Sequence, residues 1–316
     1  MKKIFKEMTK FTTTIIGSGS AKPNPGNLSS AQILTYNGLV WLIDCCDGTC
    51  SELYRMGISI NKIERIFITH AHGDHCLGLP CLIATMALDG RKSPLTVYAP
   101  REVYDIMTPV IDAMAGDKGH LPFDVQYEEV SCCDISIIYA DKQLNVQAVP
   151  LRHGAHETYG YVFNEQPKRR HINMDAMAKY GIPCGAYEWV RDHDWEMDDG
   201  TIIPNSKLTS DPEPVRSYAY ISDTYRFKEL AFMLNGVTTL YCEASFKAED
   251  WELATKWQHC TSADAAMIAH DAETVKYLII GHISARYKNV SELVKESQEI
   301  FPATAYADKN RTFDII

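Results

Sequence analysis

The chain has 316 residues, 46% of them hydrophobic, enough for one large layered α/β domain with a substantial core. No apolar run approaches the roughly eighteen residues of a membrane span, which excludes a helical membrane protein. The formal charge of −10 opposes long-range attraction to a polyanion, so any nucleic-acid substrate must be drawn by a local positive field.

Taken in chain order, the first tract begins Met1-Lys2-Lys3, but Lys6, Glu7 and Lys10 interrupt the place where the apolar core of a leader would lie. No signal peptide is expected. Apolar runs bounded by turn residues predict strands over 11–16, 31–36, 39–43 and 65–69. The first ends in Gly17-Ser18-Gly19-Ser20, a tight turn that lacks the remaining features of a phosphate loop. A helix follows over 78–88, a strand over 95–99, a helix over 102–114, and strands over 135–139 and 144–151. The rhythm then breaks over 166–214. This stretch carries Pro167, the basic run Lys168-Arg169-Arg170-His171, a helix-like 174–180, and Gly181-Ile182-Pro183-Cys184-Gly185. Asp192, Asp194, Glu196, Asp198 and Asp199 follow. It has too few periodic apolar positions for a core of its own and reads as a protruding insertion in a single domain spanning 1–316. The rhythm resumes with strands over 218–221, 239–242 and 277–280 and a helix over 262–272. Strands interleaved with helices in both halves predict two sheets packed face to face with helices outside.

The richest chemistry lies in Thr69-His70-Ala71-His72-Gly73-Asp74-His75, directly after the apolar run Ile66-Phe67-Ile68. Imidazole nitrogens and carboxylate oxygens are the ligand set zinc accepts. His70 and His72 lie two apart, so extended backbone points both the same way. Asp74 and His75 follow at a Gly-relaxed turn and can face a second ion. A two-metal site implies hydrolysis of an ester, amide or phosphodiester. Ten cysteines include the adjacent pairs Cys45-Cys46 and Cys132-Cys133 and no CxxC pair, which suits buried thiols in a reducing cytoplasm rather than a disulfide framework.

The HxHxDH pattern resembles the metallo-β-lactamase superfamily, and the blocks that follow it resemble one branch, ribonuclease Z. In order these are Trp41-Leu42-Ile43-Asp44 with Asp47-Gly48-Thr49, then 66–80, then His153 with Tyr159-Gly160-Tyr161. Tyr220-Ile221-Ser222-Asp223-Thr224, Cys242-Glu243-Ala244-Ser245-Phe246, His259-Cys260-Thr261 and His282-Ile283-Ser284-Ala285-Arg286-Tyr287 complete the set. The resemblance implies a four-layer αββα sandwich of two mixed sheets. It implies one metal held by His70, His72 and His153, a second by Asp74, His75 and His282, and Asp223 bridging them. Two Zn²⁺ ions are expected, with Mn²⁺ or Fe also compatible with the carboxylates. His156, near His153, reads either as a solvent-facing residue or as a substitute ligand. Asp74 is expected to orient the attacking water, and a Glu243–His259 pair to protonate the leaving oxygen. Arg286 is expected to clamp a phosphate oxygen. The insertion matches the position of an arm that grips transfer RNA, with Lys168, Arg169 and Arg170 as contacts.

The implied activity is that of a cytoplasmic, homodimeric endoribonuclease that cleaves 3′ extensions of precursor tRNA by metal-bound hydroxide attack. Three departures leave other readings open. The first turn reads Pro23-Asn24-Pro25-Gly26-Asn27-Leu28 where the family carries an Arg. Cys45-Cys46-Asp47 and Cys242 replace family residues, Cys242 standing where a His precedes the Glu. The insertion is acidic where the family's arm is basic. A phosphodiesterase acting on small cyclic nucleotides or nucleotide esters is the enzymatic alternative; an inactive metal-binding RNA-processing subunit is the non-enzymatic one.

Overall fold

The computed structural model describes residues 10–22, 24–114 and 121–316. Residues 1–9, which hold most of the tract weighed as a leader, and Pro23 of the altered first turn lie outside the described residues. Among the described residues, no helix is long and apolar enough to cross a membrane.

The chain separates into two compact units. The larger comprises Met1–Asp141, Asn145–Asn164 and Arg216–Ile316. It is built on two seven-stranded sheets. One runs, in spatial order, Thr312–Asp314, Phe11–Gly17, Ala31–Tyr36, Leu39–Ile43, Ile63–Phe67, Leu95–Ala99 and Val125–Glu129. Its first four strands pair antiparallel; the connections from Leu39–Ile43 onward are parallel. The other runs Thr304–Tyr306, Tyr277–Gly281, Thr239–Glu243, Ser217–Ile221, Tyr159–Glu165, Leu144–Pro150 and Ser136–Ala140. Its first four strands are parallel, and Ser217–Ile221 meets Tyr159–Glu165 antiparallel. Both sheets are therefore mixed, as expected of the αββα sandwich.

Side-chain alternation along the strands assembles the layers. Phe67 of the first sheet meets Tyr161 and Phe163 of the second at ring-centroid distances of 5.4 and 5.2 Å. Trp41 meets Tyr139 edge-on at 5.5 Å. The layer between the sheets is thus aromatic; within it Tyr161 donates to the Ile68 carbonyl (2.7 Å). The opposite faces are aliphatic. Ile66 and Ile68 pack on Leu53, Leu82, Ile83 and Met107 from the helices Thr49–Arg55, Leu79–Leu88 and Arg101–Met114. Leu240, Cys242, Leu278 and Ile280 pack on Leu230, Ile268 and Leu293 from Lys228–Met233, Ser262–Asp271 and Ser291–Ile300. Each such fully buried Leu or Ile contributes about 1.5–3 kcal/mol relative to exposure. Cys242 faces the helices, so Glu243, the next residue, faces the other way.

The smaller unit is Lys142–Leu144 with Glu165–Val215. Two minimal ladders pair His171–Ile172 with Thr209–Ser210 and Trp195–Glu196 with Ile202–Ile203. The helix Met174–Lys179 is capped by Asn173, whose side chain accepts from the Ala176 amide. Met177, Ile182, Val190, Ile203 and Leu208 are buried together. The expectation that this stretch lacks a core of its own is corrected. Short helical turns and two-residue strands deliver these side chains at irregular intervals, so no period marks them.

Candidate metal centre

The site grows from the ends of strands. Residues 70–75 follow Ile63–Phe67, His153 follows Leu144–Pro150, Asp223 follows Ser217–Ile221, and His282 follows Tyr277–Gly281. The first group belongs to one sheet and the other three to its partner, so the cluster sits on the seam between them. Potential ligand atoms of His70, His72, His153 and Asp223 lie within 4.8 Å of one another, as do those of Asp74, His75 and His282. Asp223 divides its oxygens between the two sets. Its Oδ2 is 3.7 Å from both His70 Nε2 and His153 Nε2. Its Oδ1 is 3.4 Å from His75 Nε2 and 3.3 Å from His282 Nε2. Asp74 Oδ2 lies 3.4 Å from His75 Nε2 and 3.5 Å from His282 Nε2. His156 borders the cluster, its ring 4.8 Å from that of His72, but it joins neither ligand set: its Nδ1 pairs with Glu102 at 2.6 Å, and the side chain is substantially exposed.

A neighbour orients the far nitrogen of four of these histidines, the usual support for a metal-ligating imidazole. Asp44 Oδ2 takes His75 Nδ1 at 2.8 Å. Thr69 Oγ1 meets His70 Nδ1 at 3.0 Å, and Ser245 Oγ meets His282 Nδ1 at 2.9 Å. His153 Nδ1 lies 3.0 Å from the Gln258 carbonyl. Asp44 is itself fixed by the Thr69 amide (2.9 Å) and the Tyr220 hydroxyl (3.0 Å). Asp44, Gln258 and His282 have φ of 54°, 56° and 57°. Left-handed backbone is uncommon outside glycine, and three of the six such residues among the described residues lie at this site.

Thr69, Asp44, Ser245 and Gln258 were not singled out as site residues from the sequence. The signal for Asp44 was a carboxylate closing a buried apolar strand. Gln258 acts through its backbone, which leaves no trace in residue type.

The donor set fits a divalent cation. His75 Nε2 is buried and has no hydrogen-bond partner, although it faces the oxygens of Asp74 and Asp223. Burial pushes His70 well below the ordinary imidazole range, into its neutral, ligating form. Burial acts the same way on His75, but Asp223, Asp44 and Asp74 outweigh it and hold a proton there. A cation would displace that proton and serve the same carboxylates. Burial opposes ionisation of Asp74, yet His75 and His282 hold its carboxyl well below the usual range.

Beside the cluster, His259 Nδ1 lies 2.8 Å from Glu243 Oε1. Glu243 is fully buried. It also accepts from the Thr224, Cys260 and Ser245 amides and the Ser245 hydroxyl, at 2.9–3.1 Å. Burial would lower the His259 pKa, but the Glu243 carboxylate outweighs it and raises the value to about 9. A cavity of about 660 Å³ opens over the cluster and includes His259 and Arg286 in its lining. Arg286 lies 4.0 Å from Asp250 and stacks over Phe246.

Two relatives match over nearly the whole chain. A ribonuclease Z of Parabacteroides distasonis is 36% identical over 309 residues, covering 98% of this chain and 100% of its own length. One from Porphyromonas gingivalis is 35% identical with the same coverage. The chain belongs to the ribonuclease Z family. Residues 11–173, just over half of it, also belong to the family whose model is described as Anti-Pycsar protein Apyc1. The human short-form tRNase Z shares the fold, with a TM-score of 0.70 at 22% identity over 96% of this chain and 99% of its own. Ribonuclease Z membership and the His/Asp cluster together support a bound divalent metal.

Four of the basic residues of the smaller unit lie beside carboxylates. Arg169 and Arg191 both pair with Glu188, Arg170 pairs with Asp211, and Lys168 lies 3.9 Å from Glu165. Residues 165–215 hold ten carboxylates against six Lys and Arg.

Proposed function

We propose that this member of the ribonuclease Z family is an endoribonuclease that uses two zinc ions to cleave 3′ extensions from precursor tRNA. The observation that carries this reading is the division of Asp223 between two histidine sets, with the Glu243–His259 pair beside it. His70, His72 and His153 would hold one ion; Asp74, His75 and His282 the other; Asp223 would serve both. Bound there, the ions would supply Lewis acidity and neutralise phosphate charge. Asp74 orients the attacking water. Glu243 keeps His259 charged, and the imidazolium passes its proton to the leaving ribose oxygen. Arg286 draws a phosphate oxygen with its planar donor pair.

The relatives named ribonuclease Z support a ribonuclease, and in this reading the segment 166–214 would serve as the arm that grips the RNA. A cytoplasmic homodimer is part of the same reading, and sedimentation tests it. The deciding experiment is cleavage of a 3′-extended precursor tRNA by zinc-loaded protein. Release of the trailer with a 3′-hydroxyl on the tRNA supports the proposal, and an uncut precursor refutes it. One observation favours a second reading: the carboxylates of the smaller unit outnumber its cations and pair with Lys168, Arg169, Arg170 and Arg191. A small nucleotide phosphodiester needs no such grip, and would then be the substrate.

A further inference from the structure

Lys22, Lys256 and Arg286 share the cavity over the cluster with Phe246, Trp257 and His259. Three cations around one mouth stand out on a chain of net charge −10. The two aromatic rings are each approached by one of them. Lys256 Nζ is 5.2 Å from the Trp257 ring centroid, and the Arg286 guanidinium 5.1 Å from that of Phe246. Trp257 ends the helix Trp251–Trp257 and remains 56% exposed. Its position is nevertheless fixed. Gln258 follows in left-handed backbone with its carbonyl on His153, and the His259 amide donates to the Ala254 carbonyl at 2.9 Å. The indole is thus tethered two residues from the proton donor and presents apolar surface to solvent inside a cationic cavity.

We propose that Trp257 is a stacking surface for a nucleobase adjoining the phosphate that is cleaved, with Lys22 and Lys256 balancing neighbouring phosphate charge. Rings flanked by cations suit that pairing, because every base has a π face and each nucleotide carries one backbone charge. This rests on the phosphodiesterase reading and narrows its substrate class to nucleoside phosphates, excluding alkyl and sugar phosphodiesters.

The test is binding, independent of turnover. Metal-loaded protein is titrated with adenosine 5′-monophosphate and with ribose 5-phosphate, by calorimetry and tryptophan fluorescence. Wild type should hold the nucleotide about tenfold tighter, the scale of one base stacked on an aromatic ring. Trp257→Ala should erase that preference and leave ribose 5-phosphate affinity, metal content and Tm unchanged; Trp257→Phe should keep most of it. Equal wild-type affinities, a preference surviving in Trp257→Ala, or no binding of either ligand at millimolar concentration overturns the proposal. A short 3′-extended oligoribonucleotide, run in parallel, separates the sources of the base. Tighter binding than the mononucleotide, also lost in Trp257→Ala, assigns it to RNA. An uncut precursor tRNA with the base preference intact removes the RNA reading and leaves Trp257 in its role.

Discussion

Glu243 and His259 differ sharply in what their removal costs. Glu243 satisfies buried amides and a hydroxyl, so Glu243→Ala would leave several donors unpaired, at about 1–3 kcal/mol each. Glu243→Gln keeps the volume and removes the charge, and is the cleaner probe. Glu243→Gln and His259→Ala should each lower turnover of a phosphodiester with a poor leaving group by about 10²–10⁴. Hydrolysis of bis-p-nitrophenyl phosphate, whose leaving group needs little protonation, should barely change. Equal losses on both substrates would reduce the pair to a structural role. In metal-stripped protein, NMR should find the His259 ring titrating near 9, and near or below the ordinary 6.5 in Glu243→Gln. The folded value is raised, so the pair stabilises the fold fully below about 6.5 and loses that contribution as pH climbs through about 9. Bound divalent ions, being positive, will move the titration down. Asp44→Asn should weaken zinc affinity by about 10–100-fold in a chelator competition, because it frees His75 Nδ1. The residues that converge on the cluster were legible in the sequence because the chemistry of metal ligation restricts residue type. Their supports were less so, since a hydroxyl, a carbonyl or a carboxylate can orient an imidazole equally well.

At the scale of elements, the segment carrying Asp74 and His75 meets main chain at its end, where Gly78 donates to the Cys45 carbonyl at 2.8 Å. A Cβ on Gly78 would lie 2.0 Å from the Cys46 carbonyl oxygen and 2.9 Å from that of Cys45. Main-chain atoms cannot rotate aside, so Gly78→Ala must shift the loop or the strand end that bears Asp44. Overpacking of this kind costs about 1–3 kcal/mol, and a Tm lowered by several degrees with reduced zinc content is the expected result. An unchanged Tm would show the loop free to move. The strands over 31–36 and 39–43 were legible because long β-branched and aliphatic runs end in turn residues there. Val125–Glu129 was missed: its sequence VQYEE is largely polar, as an edge strand of a sheet can be. Thr304–Tyr306 and Thr312–Asp314 are three residues each, too short to show a period. The helix Ser291–Ile300 has a polar composition in which its buried Leu293 and Ser297 scarcely register.

For the whole molecule, the acidic balance sets what the smaller unit can do. Three free phosphate contacts at Lys168, Arg169 and Arg170 would reduce the log–log salt slope of precursor binding by about 2–3 when replaced together by Ala. Since Glu165, Glu188 and Asp211 already pair with those cations, the expected reduction is smaller, less than about 2. Neutralising Asp192, Asp194, Asp198 and Asp199 together should strengthen precursor binding at low salt; no gain would mean the RNA does not approach this surface. A last consequence follows from the place of the metal cluster, where one sheet contributes residues 70–75 and the other contributes His153, Asp223 and His282. An ion bound there clasps the two halves of the sandwich, and unfolding must release it. Melting temperature then becomes a gauge of free metal. Each tenfold rise in zinc activity above the dissociation constant adds about 1.4 kcal/mol per ion to the folded state. A differential scanning series across buffered zinc should show Tm climbing linearly with the logarithm of free zinc, and falling to a floor in chelator.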